Sequence, residues 1–527
     1  MLPTTTPKKH KTGLFVFLTT FFLYVLASPG NLPGDTEVRW SIARQIVRNG
    51  CFCIEDTKHT NNYAVGLDGK RYSFYGPGQT ALLVPLTTAG FVIEKVFHIS
   101  DSTADLAAQF AASSILFPAI GAFVVLALYR LVLELHYSHR AAVISAMTLA
   151  AGTMLFHYSA SSQEQPQVAL LLLLAVIVFV KNRQHPRFFY AWLMCVLFGI
   201  ALIFRIAAVT TFVPLCAIAA LDEMIRRPQR LRIFSKWVFA ATLGTGGFVL
   251  FLGWYNYTRF GSPFESGYAL SIATSLGGHK LFESNPLYTL PAMLFSPGKS
   301  ILLYNPVLLP VPFAVGGFFR KNMMLSIAIA LVVAANFIFY SFYTPWAGDY
   351  AWSIRYQTAV LPLLILPLAH LFDLCLKRLF AFLVSIAITV SILIQIASVA
   401  YNFNLEFVQN PNHSLIPDAY VWDISQSHLV MRFDNIAQHI AGKRNFSSAT
   451  VTNEEPFLFK RNVSEDAVRY TYGVNFFPFK AYAATHSNKL FYPLLGGWIV
   501  CLAAMAASAV QLFRYLPKRI IVRIGAE

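Results

Sequence analysis

The run FAFLVSIAITVSILIQIASVAYNF, starting at Phe380, carries no charged residue. About 20 consecutive apolar residues are enough for a helix to cross the hydrocarbon core of a bilayer. A second run, SILFPAIGAFVVLALYRLVL from Ser114, is broken only by Arg130, and similar runs recur along most of the chain. A soluble core of this size would show alternating or amphipathic patterns instead. With 56% apolar and 13% charged residues, the expected fold class is an all-α polytopic membrane protein. The net charge of +16 would suggest nucleic acid in a soluble protein. Here the Lys and Arg residues gather in short loops, as cytoplasmic loops of membrane proteins do, so no nucleic-acid partner is expected.

Loop charge also sets the topology. The N-terminal PKKHKTG followed by LFVFLTTFFLYVLA reads as an anchor running from cytoplasm to outside; cleavage as a signal peptide near LASPG is the alternative. In both cases the loop holding Asp35 faces outward. The stretch GQTALLVPLTTAGFVIEKVF (78–97) decides the parity. Counted as a span, it puts the basic segments 181–187, 221–232, 318–322, 374–379 and 514–523 outside. Treated as a juxtamembrane helix, it puts all five inside, as the distribution of Lys and Arg requires. The second choice gives about twelve transmembrane helices and two cytoplasmic termini. Residues 1–401 form the transmembrane module, with outer loop one at 29–104; 402–488 form a C-terminal outer segment; 489–527 hold the last span and a basic tail. The outer segment carries sequons at Asn412, Asn445 and Asn462. Four cysteines lie in or beside apolar runs, and Cys51 and Cys53 are too close in sequence for an easy bridge.

Candidate chemistry concentrates on the outer face. Asp35 and Glu37 follow the first span in GDTEVRWSIARQIVRNG, an amphipathic helix in which Asp35 suits the N-cap and Glu37 the first turn. A carboxylate at the membrane boundary is also partly desolvated, which favours a basic, proton-accepting role. Arg39, Arg44, Arg48 and Arg71 in loop one, with Arg259, Lys299 and Arg355 in later loops, suit an anion such as phosphate, or lipid headgroups. Arg205 interrupts an apolar run, where a charge usually faces a cavity or partner. Tyr72, Phe74, Tyr75, Trp254, Tyr255, Tyr257, Trp346, Tyr350, Trp352 and Tyr356 add aromatic density, which suits sugar rings, lipid tails or the interfacial belt. The chain has no phosphate-binding G-x-x-x-x-G-K-[ST] loop and no H-E-x-x-H, which argues against nucleotide hydrolysis and a zinc protease.

The acidic GDTEVRW after span one, the candidate juxtamembrane stretch 78–97 and the second acidic loop SQEQPQ resemble the GT-C superfamily of membrane glycosyltransferases. YNYTRFGSPFESGY, SPGKSILLYNPVLL and WAGDYAWSIRYQTAVLPLL resemble a bacterial subgroup related to protein mannosyltransferases and aminoarabinose transferases. The resemblance implies an inverting transferase that uses a polyprenyl-phosphate sugar donor on the outer face, in a bacterial inner (plasma) membrane facing periplasm or exterior. Asp35 would be the general base and Glu37 or Glu164 would assist. Arg205, Arg259, Lys299 and Arg355 would hold the donor phosphate. Arg71, Tyr72, Tyr75, Glu164, Glu265, Tyr304, Trp346, Asp349 and Tyr356 would contact substrate. The acceptor is a glycan, protein or lipid. No cofactor is certain, and a divalent metal is left open because superfamily members differ. The sequence departs from the family in separating its carboxylates by Thr36. The alternative reading is a transporter or flippase of a lipid-linked or small polar substrate, which would show related halves and mid-span charges.

Overall fold

The computed structural model describes residues 7–55, 63–270, 280–348, 351–374, 376–409, 421–443 and 470–515. The sequons at Asn412, Asn445 and Asn462 and the candidate Asp349 lie outside the described residues. Eight helices in the described residues are long and apolar enough to cross a membrane, making the chain an all-α integral membrane protein. Shorter apolar helices, among them Phe188–Phe204, Pro286–Phe295 and Leu361–Asp373, break up the apolar sequence between them. Proline accounts for one of the breaks: the stretch from Pro286 to Lys321 contains Pro291, Pro297, Pro306, Pro310 and Pro312 and falls into helices Pro286–Phe295, Ile301–Tyr304 and Val311–Lys321. Pro lacks the N–H that an uninterrupted helix would need. The strand pair Ala64–Val65 and Arg71–Tyr72 is antiparallel, with Ala64 opposite Tyr72.

The bundle has two chemically distinct ends. Helix α1 (Pro7–Leu26) is followed by Ser28, whose Oγ lies 3.0 Å from the hydroxyls of Ser113 and Ser114. These two serines precede the helix Phe117–Glu134, which runs away from that level, as does Gln165–Gln184. The far ends of both carry basic residues or neighbour them. Arg183 donates to Asp222 at 2.9 Å, Lys236 to Glu223 at 2.5 Å, and Lys321 to the His136 carbonyl at 3.1 Å. The near end collects the loops after α1, around Ser162 and around Arg355.

The helix α2 (Asp35–Asn49) and the helix α3 (Pro77–Phe97) sit at this near end. Gly76 and Gly78 let α3 begin against the end of Phe188–Phe204: a Cβ at Gly76 would lie 2.5 Å from the Ile203 carbonyl oxygen, and one at Gly78 2.8 Å from the Phe204 ring. Further along, Glu94 meets Arg48 of α2 at 2.6 Å, and Gly90 packs on Ala104 and Ala108. Although α3 is apolar and long enough to span, these neighbours all belong to the near end. Its Val96 and Phe97 are exposed. Cys51 and Cys53 are disulfide-bonded, contrary to the expectation from their spacing. The intervening turn holds their Cα atoms 5.3 Å apart, within the range a disulfide spans.

Candidate active site at the end of the first helix

The residue preceding α2 is Gly34, at φ 57°, and it has no side chain to cap the helix. Asp35 is therefore not the N-cap expected from sequence but the first helical residue. Its carboxylate turns to another partner: Arg355 Nη1 donates to Asp35 Oδ2 at 3.0 Å. Thr36 is fully buried and donates through Oγ1 to the Ser162 carbonyl at 2.7 Å. Gln79 of α3 donates to the same carbonyl at 2.8 Å. Ser162 has φ 61°, a left-handed conformation that a non-glycine residue adopts only when its surroundings hold it. The two donors do so, and two residues later Glu164 enters the site. Thr36, which separates the two acidic residues in sequence, thus ties the first acidic loop to the second.

Glu164 lies between two guanidiniums. Arg39 Nη2 reaches its Oε2 at 2.5 Å and Arg205 Nη1 its Oε1 at 2.6 Å. Arg39 stands one helical turn after Asp35, on the same face of α2. Its guanidinium carbon lies 4.2 Å from the centroid of Tyr75, and the Tyr75 hydroxyl donates to Asp35. Arg205 lies 4.4 Å from the Tyr356 ring centroid, Arg355 lies 5.2 Å from the same ring, and Tyr356 stacks on Tyr340 at 4.5 Å. Asp35, Arg355, Tyr356, Arg205, Glu164, Arg39 and Tyr75 consequently form a closed ring. Gly348, at φ 72°, gives Arg355 its room: a Cβ there would sit 2.8 Å from Arg355 Cγ.

Three guanidiniums face two carboxylates, so the ring carries excess positive charge. Arg39 is 1% exposed, and its Nε and Nη1 have no hydrogen-bond partner among the described residues. Buried donors of this kind are costly unless a ligand satisfies them. Burial pushes the Asp35 carboxyl up, but the charges of Arg355, Arg39 and Arg205 and the Tyr75 hydrogen bond outweigh it, leaving Asp35 below its ordinary value. This corrects the expectation that desolvation makes Asp35 more basic. Burial, with the Asp35 charge beside it, holds Tyr75 well above the usual phenol value, so Tyr75 remains a donor.

Other candidates lie elsewhere. Glu37 is on the exposed side of α2, pointing away from Asp35. Arg259 is buried and engaged with the Tyr255 carbonyl at 3.1 Å, the Ser73 carbonyl at 2.5 Å and Asn256 Oδ1 at 2.8 Å, clamping loop one to the Arg230–Phe260 helix. Lys299 donates to the Ala351 carbonyl at 2.6 Å, and Ser353 Oγ returns a bond to the Lys299 carbonyl at 3.2 Å. The SPGKS and WAGDYAWSIR segments thus brace each other. Tyr304 donates to the Gly298 carbonyl at 2.8 Å and packs edge-on to Trp352. Trp346 is a core residue. Arg71 and Tyr72 form one strand of the small pair, with Tyr72 donating to Asp68 at 2.9 Å. Glu265 accepts from the Gly267 N–H at 2.7 Å. Arg39 is the ring member missing from the sequence-based donor-site set; its spacing of four from Asp35 was the available signal.

Among the described residues no group of three or more His, Cys, Asp and Glu converges as a metal site. The ring carboxylates Asp35 and Glu164 meet guanidiniums. The structure is similar to ArnT from Cupriavidus metallidurans in the apo state, at 16% identity over 77% of this chain and 66% of that one, TM-score 0.46. It is similar to the same protein bound to undecaprenyl phosphate, at 13% identity over 90% and 88%, TM-score 0.46. A third likeness is to the Archaeoglobus fulgidus oligosaccharyltransferase in complex with Zn and sulfate, at 14% identity over 86% and 59%, TM-score 0.41. The chain spans just under two thirds of the length of the first of these. Each likeness concerns the fold alone. No protein-family model and no curated protein matches the sequence.

Proposed function

We propose that this protein is an inverting glycosyltransferase that moves a sugar from a polyprenyl-phosphate donor to an acceptor hydroxyl on the outer face of the membrane. The observation carrying this reading is the ring itself: a carboxylate beside three arginines, with two Arg39 donor groups unpartnered, where the first helix ends. Asp35 takes the proton of the acceptor hydroxyl, and the oxygen attacks the anomeric carbon from the face opposite the phosphate. The bond from that carbon to the phosphate oxygen breaks, and its electron pair leaves with the polyprenyl phosphate. Arg39, Arg205 and Arg355 receive the developing charge. Arg355 is shared: as the phosphate draws it, Asp35 loses its cation and becomes the stronger base.

A lipid-borne donor stays in the bilayer and arrives already activated, so the reaction needs neither a nucleotide fold nor a soluble enzyme. The basic segments at the opposite end favour an outward-facing ring, as does the Cys51–Cys53 disulfide in the first loop. The test is mass spectrometry of polyprenyl-phosphate lipids from cells lacking the protein, complemented with wild type or Asp35→Asn. One sugar-charged lipid accumulating in the null and mutant cells, and cleared by wild type, supports the reading. An unchanged lipid profile overturns it and favours a transporter.

A further inference from the structure

The segment that carries Arg355 into the ring is held at its backbone and at one side chain. Trp352, three residues earlier, is fully buried, and its carbonyl accepts from the Tyr158 hydroxyl at 2.5 Å. The Ala351 carbonyl accepts from Lys299 at 2.6 Å, and Ser353 Oγ donates to the Lys299 carbonyl at 3.2 Å. Ser353 stands at φ 57°, a left-handed conformation that a serine keeps only where its surroundings hold it. These bonds fix the backbone.

The side chain is held from the C-terminal outer segment. The Trp352 indole lies edge-on to Tyr304 at 5.0 Å and to His428 at 4.9 Å, and the Arg432 guanidinium carbon is 5.4 Å from its ring. Its Nε1 has no hydrogen-bond partner among the described residues, so packing sets where the ring sits. His428 and Arg432 stand one turn apart on the helix His428–Ile440.

That helix is itself anchored. Arg432 donates to Glu406 through Nε and Nη2, both at 2.6 Å, and to the Ser398 carbonyl at 2.9 Å. His428 Nε2 lies 3.0 Å from Glu406 Oε2, and Asn435 donates to Glu406 Oε1 at 2.8 Å. All four side chains are buried, and an arginine fork on a carboxylate fixes direction as well as distance. The start of the helix is tied to the SPGKS segment: Leu429 N–H donates to the Tyr304 hydroxyl at 3.2 Å and Ser427 Oγ to the Pro297 carbonyl at 2.7 Å.

We propose that the helix His428–Ile440 is a positioning element of the active site: by holding Trp352 it fixes where Arg355 enters the ring, and with it the Arg355–Asp35 contact. The inference rests on the reading above that Asp35 is the base. Trp352, His428 and Arg432 act through Arg355 and are positioning residues. Arg355 Nη1 reaches Asp35 Oδ2 at 3.0 Å, so a displacement of about 1 Å takes that contact beyond hydrogen-bond range. Burial raises the Asp35 carboxyl, while Arg355, then Arg39, the Tyr75 hydroxyl and Arg205, lower it. Only Arg355 among these is carried by the Trp352 segment.

The test reads the titration of Asp35 without any turnover. Melting temperature is measured against pH for the purified full chain in lipid nanodiscs, and for the Asp35→Asn counterpart of each protein. The difference removes the titration of other groups, and it disappears as pH falls through the folded Asp35 value. In the wild type that midpoint lies below the ordinary carboxylate value. Trp352→Phe and Arg432→Lys keep an aromatic ring and a charge but lose the fit. Each should raise the midpoint by about 1 pH unit or more, toward that of Arg355→Gln, since losing an opposite charge raises a carboxylate by about 1–3 pH units. In the Arg355→Gln background, Trp352→Phe should add nothing. Lys236→Gln breaks the Glu223 pair at the opposite end of the bundle; it should lower the melting temperature and leave the midpoint in place. A wild-type midpoint in both Trp352→Phe and Arg432→Lys, a further rise in the Arg355→Gln background, or an equal rise in Lys236→Gln overturns the inference. Failure of the wild type to consume any sugar-charged polyprenyl phosphate would instead overturn the glycosyltransferase reading, with the midpoints still measurable.

Discussion

Replacing Glu164 by Gln tests whether the ring is an electrostatic device or only packing. Gln keeps the shape and one carbonyl acceptor but removes the charge that separates Arg39 from Arg205. The side chains of Arg39, Glu164 and Arg205 are 1%, 7% and 17% exposed, so water offers little compensation. Removing one partner of a buried ion pair costs about 3–5 kcal/mol, because the remaining charge is left unpaired. The purified Glu164→Gln protein should therefore melt roughly 3–5 °C below wild type by intrinsic fluorescence. The decisive part is the response to ligand. Undecaprenyl phosphate brings a negative charge to the place Glu164 vacated, so it should raise the Tm of the variant more than that of the wild type. Equal melting without ligand, or equal gains with it, would refute the reasoning.

Asp35→Asn should lower sugar transfer by roughly 10²–10⁴-fold, the range for losing a general base, while the protein stays folded and still retains undecaprenyl phosphate. Because Asp35 is held below its ordinary value, mainly by Arg355 against the effect of burial, it stays ionised as pH falls through the usual carboxylate range. Transfer should show no acid limb there, and Arg355→Gln should bring that limb to higher pH in a pH–rate profile. The same sign governs stability: the pair's contribution is present above the unfolded Asp value and lost as pH falls through the depressed folded one. Arg259→Ala should destabilise by about 1.5–3 kcal/mol, as for loss of a hydrogen bond to a charged group, with undecaprenyl phosphate retention unchanged. Arg432 donates to the buried Glu406 through Nε and Nη2, both at 2.6 Å; Arg432→Ala should cost about 3–5 kcal/mol and make the helix His428–Ile440 more sensitive to limited proteolysis.

The fold class was legible because apolar runs and basic loops are read directly from composition along the chain. Charge parity predicted a juxtamembrane α3 where its own hydropathy suits a span, and the packing of α3 on α2 is a tertiary contact that neither signal contains. In the site, Asp35, Glu164, Arg205, Arg355, Tyr75 and Tyr356 stood out as polar or aromatic residues near apolar segments, but their joining does not follow from spacing. Asp35 and Arg355 are 320 residues apart, and only the tertiary fold brings them together. Arg259 and Lys299 show the converse. Sequence registers a cation near the membrane boundary, whereas backbone carbonyls that are invisible to it decide whether that cation is available. Arg39 was hidden by its amphipathic helix, where it resembles Arg44 and Arg48; those two pair with Asp101, Asp105 and Glu94 on neighbouring helices, while Arg39 turns inward.

The most direct measurement is a cryo-EM structure of the full chain in nanodiscs with undecaprenyl phosphate. The account predicts phosphate density within hydrogen-bonding distance of Arg39 Nε or Nη1 and of Arg205, with Arg355 drawn toward it from Asp35. Phosphate seated at Arg259 or Lys299, or no lipid density at the ring, would contradict it.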